Sequence, residues 1–145
     1  MASTFQLTSS RIHAEVRDGY VHVVAVGLLR SLDEVVEYNE LMERLMADHG
    51  TRRAIIDARG QTGEPSAEVR AAVWEWFKSD RSFELVAYVV NESSDMKAAR
   101  VNMTALSLGM NLRAFTSVIE AHRFLTLRRS RSTGSFPAVR VPKDA

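Results

Sequence analysis

The sequence predicts an α/β fold with a mixed five-stranded sheet and four main helices. The first strand is expected at an antiparallel edge, and the other four strands are expected to be parallel. One observation behind this prediction is that short apolar segments alternate with amphipathic helical patterns from residue 20 to residue 127, an order typical of parallel strands joined by helical crossovers. The other is the dipeptide Asp18-Gly19, a strong signal for a hairpin turn. The apolar segments after this turn are residues 21–26, 54–57, 85–90 and 112–115.

The hairpin at Asp18-Gly19 defines the first two strands. Residues 1–10 before it are polar and are interpreted as an N-terminal arm. Residues 12–16 alternate between apolar and polar side chains, which is typical of a half-buried strand. A two-residue turn places Glu15 opposite His22 on the face that carries the polar side chains. The first strand is therefore predicted to be antiparallel and to lie at an edge of the sheet.

The first two helices have recognisable starts. Ser31 followed by Glu34 is a capping-box pattern, and Gly50 supplies a stop for the helix that it opens. The second helix is predicted to begin at Pro65 or Ser66, because proline and serine favour helix starts.

Residues 83–90 are nearly all apolar, which is expected of a central strand covered on both faces. A third helix is predicted from residues 93–95 to about Leu108, with Gly109 ending it. Ser117 is predicted to cap the fourth helix.

The composition indicates one domain, predicted over residues 11–127 of the 145. There is no cysteine, which excludes disulfides, thiolate zinc sites and cysteine-ligated iron–sulfur clusters. The net charge of +1 gives no field toward nucleic acid, so no specific nucleic-acid partner is expected. No apolar run reaches the ~20 residues of a membrane helix, and the N-terminus lacks a signal-peptide pattern. A cytoplasmic protein without a transmembrane segment is expected.

The C-terminal residues 128–145 are predicted to form a basic, flexible tail. They carry five basic residues against Asp144 alone. Such a tail is expected either to make weak contacts with anionic surfaces or to remain a solvated terminus.

Three local features resemble a known family. They are the hairpin of residues 12–27 followed by an acidic helix, the basic entry Arg52-Arg53 into a strand ending in Asp57, and the close formed by residues 112–125. Together they resemble the STAS family, the anti-sigma-factor antagonist fold also called SpoIIAA-like. The resemblance covers residues 12–127 and implies a right-handed strand–helix superhelix with sequential parallel strands. It also implies a regulatory binding module, here a divergent bacterial member, rather than an enzyme.

One departure from that family concerns phosphorylation. In anti-sigma-factor antagonists, the resemblance implies a phosphorylatable serine in an Asp-Ser-Ser-Gly turn at the start of the second helix. No such tetrapeptide occurs in the matching residues 62–68. Ser66 and Thr62 lie near the matching place and are the candidate phosphoacceptors. A phosphate gains from the exposed N–H groups and dipole of a helix start, whereas Glu64 and Glu68 would repel it. The alternative is that Ser66 is an ordinary N-cap.

The loop from Arg59 to Pro65 is a candidate for binding an anion or a partner, because ligands of open α/β sheets gather beyond the carboxyl ends of the strands. The candidate residues there are Asp57, Arg59, Gly60 and Gly63. No Gly-Lys-Ser/Thr follows the glycines, so they do not form a phosphate-binding loop of that type. The alternatives are an ordinary surface turn and a loop-capping aspartate.

Two tryptophans on the second helix predict a buried side and an exposed side. Trp74 and Trp76 lie about 200° apart around a helix. Trp76 is predicted to be buried, and Trp74 is predicted on the opposite side with Arg70 and Lys78. These three residues are the interface candidates for a protein partner or a second copy of the chain. The alternative is that Trp74 packs at an edge or beneath the tail.

No motif of catalysis or of metal binding occurs in the sequence. The four histidines lack metal-ligand spacing, and His13 and His22 are expected as surface residues on the solvated side of the hairpin. No Gly-x-Ser-x-Gly elbow marks a nucleophile. No catalytic residue, metal or cofactor is therefore predicted, and the protein is not expected to be an enzyme.

The leading hypothesis is a regulatory protein–protein interaction module with a protein partner or a homodimer. The alternative is a small-molecule or lipid-binding module of the same fold, with a pocket near Asp57 and near the helix that carries Met96, Met103 and Met110. A binding module should contain a substantial apolar cavity, and an interaction module should present a flat patch that includes Trp74.

Overall fold

The computed structural model describes residues 2–17, 19–61, 63–91 and 95–133, without the side chains of 95 and 128–133. Six strands and four helices form one α/β unit. The strands are β1 (Ala2–Gln6), β2 (Ser10–Arg17), β3 (Tyr20–Gly27), β4 (Arg53–Gly60), β5 (Leu85–Val89) and β6 (Leu112–Phe115). The helices are α1 (Leu32–His49), α2 (Ala67–Phe77), α3 (Asp95–Ser107) and α4 (Val118–Thr133).

The strands lie side by side in their order along the chain. β1, β2 and β3 are antiparallel neighbours, and β3 to β6 are parallel. The predicted order of the parallel strands is confirmed. The predicted hairpin register is also confirmed, since Glu15 lies opposite His22 and Val16 lies opposite Val21.

The sheet has six strands rather than the predicted five. Within the segment interpreted as an arm, residues 2–6 pair with β2, from Ala2 opposite Glu15 to Gln6 opposite Arg11. β2 is therefore an inner strand, and the prediction that it forms the edge is wrong. Most side chains of β1 are exposed, so no alternation of apolar residues marked this strand, and its backbone ladder holds it in place. The last helix also continues to Thr133, beyond the predicted boundary at residue 127.

The three crossover helices cover one face of the sheet. Each crossover advances to the next parallel strand in the same direction, and crossovers of one hand place their helices on one side. Met42 of α1, Trp76 of α2 and Ala105 of α3 pack there in one core with Ile56 and Val86 of the sheet. This face contains the main hydrophobic core.

Helix α4 covers the other face. It follows the last described strand and does not connect two described strands, so the crossover rule does not fix the face on which it packs. Its residues Ala121 and Leu125 pack with Ile55, Ala87 and Val89. β5 is therefore buried on both faces, as its apolar sequence predicted.

The start of α1 ties three segments together through Glu34. Ser31 is the N-cap, as predicted, and its side chain accepts a hydrogen bond from the Glu34 N–H. The Glu34 carboxylate is fully buried and accepts from the backbone N–H groups of Ser9 and Arg30 and from the hydroxyls of Ser9 and Ser10. Burial acts to raise the pKa of Glu34, but these hydrogen bonds hold it below its ordinary value.

Candidate ligand-binding cavity

A cavity of about 150 Å³ lies between the sheet and the crossover helices. It is at the carboxyl ends of the parallel strands, where open α/β sheets gather their ligands. The sheet contributes Ala25, Ile56 and Ala58 to its wall, while α2 contributes Val73 and Trp74. The lining is mostly apolar, with a few polar groups, which is the usual composition of a small-molecule site.

Small side chains at the strand ends explain why this space is not filled. Ala25, Gly27 and Ala58 line the sheet side of the cavity and reach little beyond the backbone. Gly27 has a φ of +96°, and a Cβ atom there would lie 2.7 Å from the backbone oxygen of Ser9. No larger residue fits at that position without a shift of the backbone.

Two tyrosines place polar groups in the cavity wall. Tyr38 of α1 is 6% exposed, and Tyr88 of β5 is partly buried. Among the described residues, neither hydroxyl has a hydrogen-bond partner within the protein. Burial raises the pKa of both tyrosines, that of Tyr88 to about 12, and the charge of Glu64 adds to the effect on Tyr88. Both side chains are therefore neutral O–H donors at physiological pH.

The mouth of the cavity carries two cations and one carboxylate. Arg70 Nη1 lies 3.9 Å from the Glu64 carboxylate and donates to the carbonyl of Pro65. Lys97 Nζ donates to Gln61 Oε1 at 3.1 Å. Arg70 and Glu64 are about half exposed, so this ion pair is weak and screened by solvent.

The candidate phosphoacceptor Ser66 lies beside this mouth. It is the exposed N-cap of α2, and its hydroxyl oxygen accepts from the Val69 N–H at 3.2 Å. Of the two predicted helix starts, Pro65 and Ser66, the structure makes Ser66 the N-cap, and the phosphorylation of Ser66 stays a prediction. Thr62, the second candidate, lies outside the described residues, as do Asp18 and the predicted cap residues Ser93 and Ser94.

The four candidate residues of the anion loop do not line the cavity, although Gln61, Glu64 and Pro65 of the same loop do. Asp57 is not the end of β4, which continues to Gly60. Its side chain lies on the α4 face and forms a two-pronged ion pair with Arg59, with atoms 2.7 and 2.9 Å apart. Burial acts to raise the pKa of Asp57, but the Arg59 hydrogen bonds lower it below its ordinary value. Gly63 is exposed, and none of these four residues lines the cavity.

Of the three interface candidates, Trp74 and Arg70 both line the cavity, whereas Lys78 does not. Trp76 is 3% exposed and donates to Glu43 of α1 at 2.8 Å, so its predicted burial is confirmed. Trp74 is half-buried against the core and lines the cavity, so its predicted exposure is wrong. Helix α2 has neighbours on two sides, α1 and the cavity wall, and each tryptophan meets one of them. Lys78 is exposed and paired with Glu75 at 2.9 Å.

The methionines of α3 do not form a groove. Met96 and Met103 are 74% and 72% exposed, and the residues that α3 turns toward the cavity are Lys97 and Val101. The cavity is therefore not the predicted pocket, because neither Asp57 nor any of the three methionines lines it. The position of such a cavity depends on the sizes of side chains from several separate elements. The periodicity of a sequence does not predict how those side chains fit together.

A second polar cluster lies beneath α4. His22 is 9% exposed, so its predicted place on the surface is wrong. Its ring lies edge-on to His122 of α4, and both of its nitrogens lack a hydrogen-bond partner within the described part of the chain. His122 is hydrogen-bonded to the hydroxyl of Tyr20. Burial lowers the pKa of His22, helped by the charges of Arg17 and His122.

Comparisons with known proteins bear on the fold. No known family profile matches the chain, and no curated protein matches it. An uncharacterized DUF3478-family protein with a SpoIIAA-like fold, from Shewanella loihica PV-4, matches with a TM-score of 0.59 at 19% identity, over 85% of this chain and 98% of that one. An anti-sigma factor antagonist from Mycobacterium paratuberculosis matches with a TM-score of 0.52 at 17% identity, over 83% and 95%.

This chain has a SpoIIAA-like fold. The resemblance predicted from the hairpin and the strand–helix order is confirmed at the level of the fold. The SpoIIAA-like frame accounts for the sequential parallel strands, while the cavity is defined by this chain's own side chains. Among the helices that are described, none combines the length and apolar character needed to cross a bilayer.

Proposed function

We propose that this SpoIIAA-like domain is a non-enzymatic regulatory module that holds a small ligand in the cavity. The single observation that carries the proposal is an apolar-walled space of about 150 Å³ at the carboxyl ends of the parallel strands. The likeness in fold to an anti-sigma factor antagonist supports a regulatory role. The exposed patch around Trp74 that a purely surface-binding module would show is replaced by a half-buried side chain in the cavity wall.

The volume limits the ligand. A protein cavity of about 150 Å³ lined by apolar side chains accommodates a molecule such as benzene. The cavity therefore suits one aromatic ring or a short branched chain, and it is too small for a diacyl lipid. Of the two ligand classes in the alternative hypothesis, the small molecule is the one that fits.

The test uses two variants of α3. Val101→Phe adds a ring inside the cavity, while Met103→Phe adds the same ring at a 72% exposed position. A library of small aromatic and branched-chain compounds is screened by thermal unfolding against both variants and the wild type. A ligand at about 100 times its Kd stabilises a fold by about 2.7 kcal/mol, or roughly 5–10 °C in Tm for a chain of this size.

We expect ligands that raise the Tm of the wild type and of Met103→Phe but not that of Val101→Phe. The proposal fails if no compound raises the Tm, or if Val101→Phe responds as strongly as the wild type.

A second candidate function is a phospho-regulated interaction with a protein partner or a second copy of the chain. It is favoured by the exposed hydroxyl of Ser66 at the start of α2, directly before Ala67 and beside the Arg70 side chain. Ser66→Glu should change partner capture or self-association measured by light scattering, while Ser66→Ala serves as the uncharged control. Equal behaviour of both variants and the wild type would exclude a charge switch at this position.

A further inference from the structure

We propose that the ligand of this cavity is a small carboxylic acid whose apolar part has the size of one benzene ring. Its oxygens accept hydrogen bonds from Tyr38 and Tyr88, with Arg70 and Lys97 supplying positive charge at the mouth. This inference rests on the proposed function, because it names the chemical class that the cavity takes.

The two tyrosine hydroxyls supply the first step. Buried hydroxyl groups are nearly always hydrogen-bonded, because a buried donor left without a partner is destabilising. Tyr38 is more than nine-tenths buried and lines the cavity, yet its hydroxyl bonds to no described residue of the protein. Tyr88 is only partly buried, but it lines the same cavity and its hydroxyl also bonds to no described residue. A ligand with an oxygen acceptor supplies the missing partner for both.

The charges at the mouth supply the second step. Arg70 and Lys97 line the cavity together with one carboxylate, that of Glu64. The Arg70–Glu64 contact is long, at 3.9 Å, and Lys97 donates to the neutral amide of Gln61. The mouth therefore has an excess positive charge that a ligand of charge −1 neutralises. Charge-assisted hydrogen bonds from such groups are stronger than those between neutral groups.

The apolar walls supply the third step. Ile12, Val69, Val73 and Val101 surround the space together with the rings of Trp74 and Phe77. Apart from the indole N–H of Trp74, these side chains offer no hydrogen-bond partner for a polar substituent at the far end of the ligand, so most of that end is apolar. The volume of about 150 Å³ restricts it to one ring or a branched chain of similar size.

Three compounds of similar shape separate the contributions of charge, hydrogen bonding and apolar contact to binding. Phenylacetate carries a carboxylate, phenylacetamide carries a neutral carbonyl, and ethylbenzene carries no acceptor. Their affinities are measured by ligand-detected NMR and by the shift in Tm. We expect phenylacetate to bind roughly ten-fold more tightly than phenylacetamide, and phenylacetamide to bind more tightly than ethylbenzene, because each step removes one class of interaction.

Conservative variants test separately the roles of the tyrosine hydroxyls and of the two cations in binding the ligand. Tyr38→Phe and Tyr88→Phe keep the rings and remove the hydroxyls, so each should weaken phenylacetate roughly ten-fold and leave ethylbenzene unchanged. The double variant Arg70→Gln with Lys97→Gln should weaken phenylacetate and leave phenylacetamide unchanged. Lys78→Gln is the matched control at the C-cap of α2, because Lys78 does not line the cavity and is paired with Glu75.

The inference is overturned if ethylbenzene binds as tightly as phenylacetate, or if the tyrosine variants bind all three probes like the wild type. It is also overturned if an amine or alcohol of similar size raises the Tm and phenylacetate does not, while Val101→Phe abolishes that response. In that case the cavity remains a ligand site, and only the chemical class is wrong. If no compound of any class responds, the proposed function fails together with this inference.

Discussion

Buried tyrosines on the two faces of the sheet differ in the hydrogen bonding of their hydroxyl groups. On the face covered by α1, α2 and α3, the hydroxyl of Tyr38 borders a cavity and has no described partner within the protein. On the face covered by α4, Tyr20 is equally buried at 6% exposure, but its hydroxyl is hydrogen-bonded to His122. The same side chain is therefore part of the packed structure on one face and available to a ligand on the other.

The buried ionisable groups on the two faces also contrast. Glu34, at the start of α1, accepts several hydrogen bonds and lies outside the cavity lining. His22, beneath α4, has two ring nitrogens without a hydrogen-bond partner among the described residues, and it does not line the cavity either. A polar group beside open space can bind water or a ligand, whereas a histidine enclosed by packed side chains is a group whose protonation opposes folding.

The largest effect is expected from breaking the Glu34 network. Glu34→Gln replaces one acceptor oxygen with an NH₂ group that faces a backbone N–H of Ser9 or Arg30 and a serine hydroxyl, so the free energy of unfolding should fall by about 3 kcal/mol. Urea denaturation measures this change. Glu37→Gln is the matched control on the same helix, because Glu37 is exposed, and it should change stability by less than about 0.5 kcal/mol. Equal effects of the two variants would contradict the role assigned to Glu34.

A smaller change in the free energy of unfolding is expected from the protonation of His22 as the pH falls. Its pKa is lowered in the folded state, so the unfolded chain takes up the proton first as the pH falls below about 7. Stability should therefore decrease on acidification through the ordinary histidine range until the folded-state pKa is reached. The slope from this group is at most about 1.4 kcal/mol per pH unit.

The variant His22→Phe should flatten this part of the stability profile, as measured by urea denaturation at a series of pH values. Glu34→Gln should leave it unchanged, because the pKa of Glu34 lies below its ordinary value of 4.5 and its stabilising effect is lost only as the pH falls through that lower range. A profile that stays equally steep in His22→Phe would show that other groups determine it.

The smallest change in stability is expected from removing the hydroxyl groups of Tyr20 and Tyr38, and it tests the difference between these two tyrosines. Tyr20→Phe removes a hydrogen bond within the protein and should lower the free energy of unfolding by about 1 kcal/mol. Tyr38→Phe in the ligand-free protein removes a hydroxyl that has no described partner, so stability should change by less than about 0.5 kcal/mol or increase. Thermal unfolding of both variants gives the comparison. A larger loss for Tyr38→Phe would indicate a structural role for its hydroxyl.

Local signals predicted much of the frame. The register of β2 and β3 followed from the turn at Asp18-Gly19, and the caps Ser31, Ser66 and Ser117 lie where the sequence placed them. These features depend on residues a few positions apart, which is why periodicity and capping rules find them.

The parts that could not be predicted depend on distant neighbours. β1 has no apolar alternation, and only its pairing with β2 shows it to be a strand. The burial of His22 depends on α4, about a hundred residues away in sequence, lying across the other face of the sheet. The cavity depends on the sizes of Ala25 and Ala58 relative to the α2 residues above them.

Gly27 has a consequence for how such a binding site is diversified. Because its backbone passes so close to Ser9, this part of the cavity floor is fixed by the main chain and offers no side chain to vary. New ligand preferences, whether acquired in evolution or by engineering, are therefore most accessible through substitutions on α2 and α3, such as at Val73 and Val101. The sheet acts as a constant platform, and the helices above it are the adjustable part of the receptor.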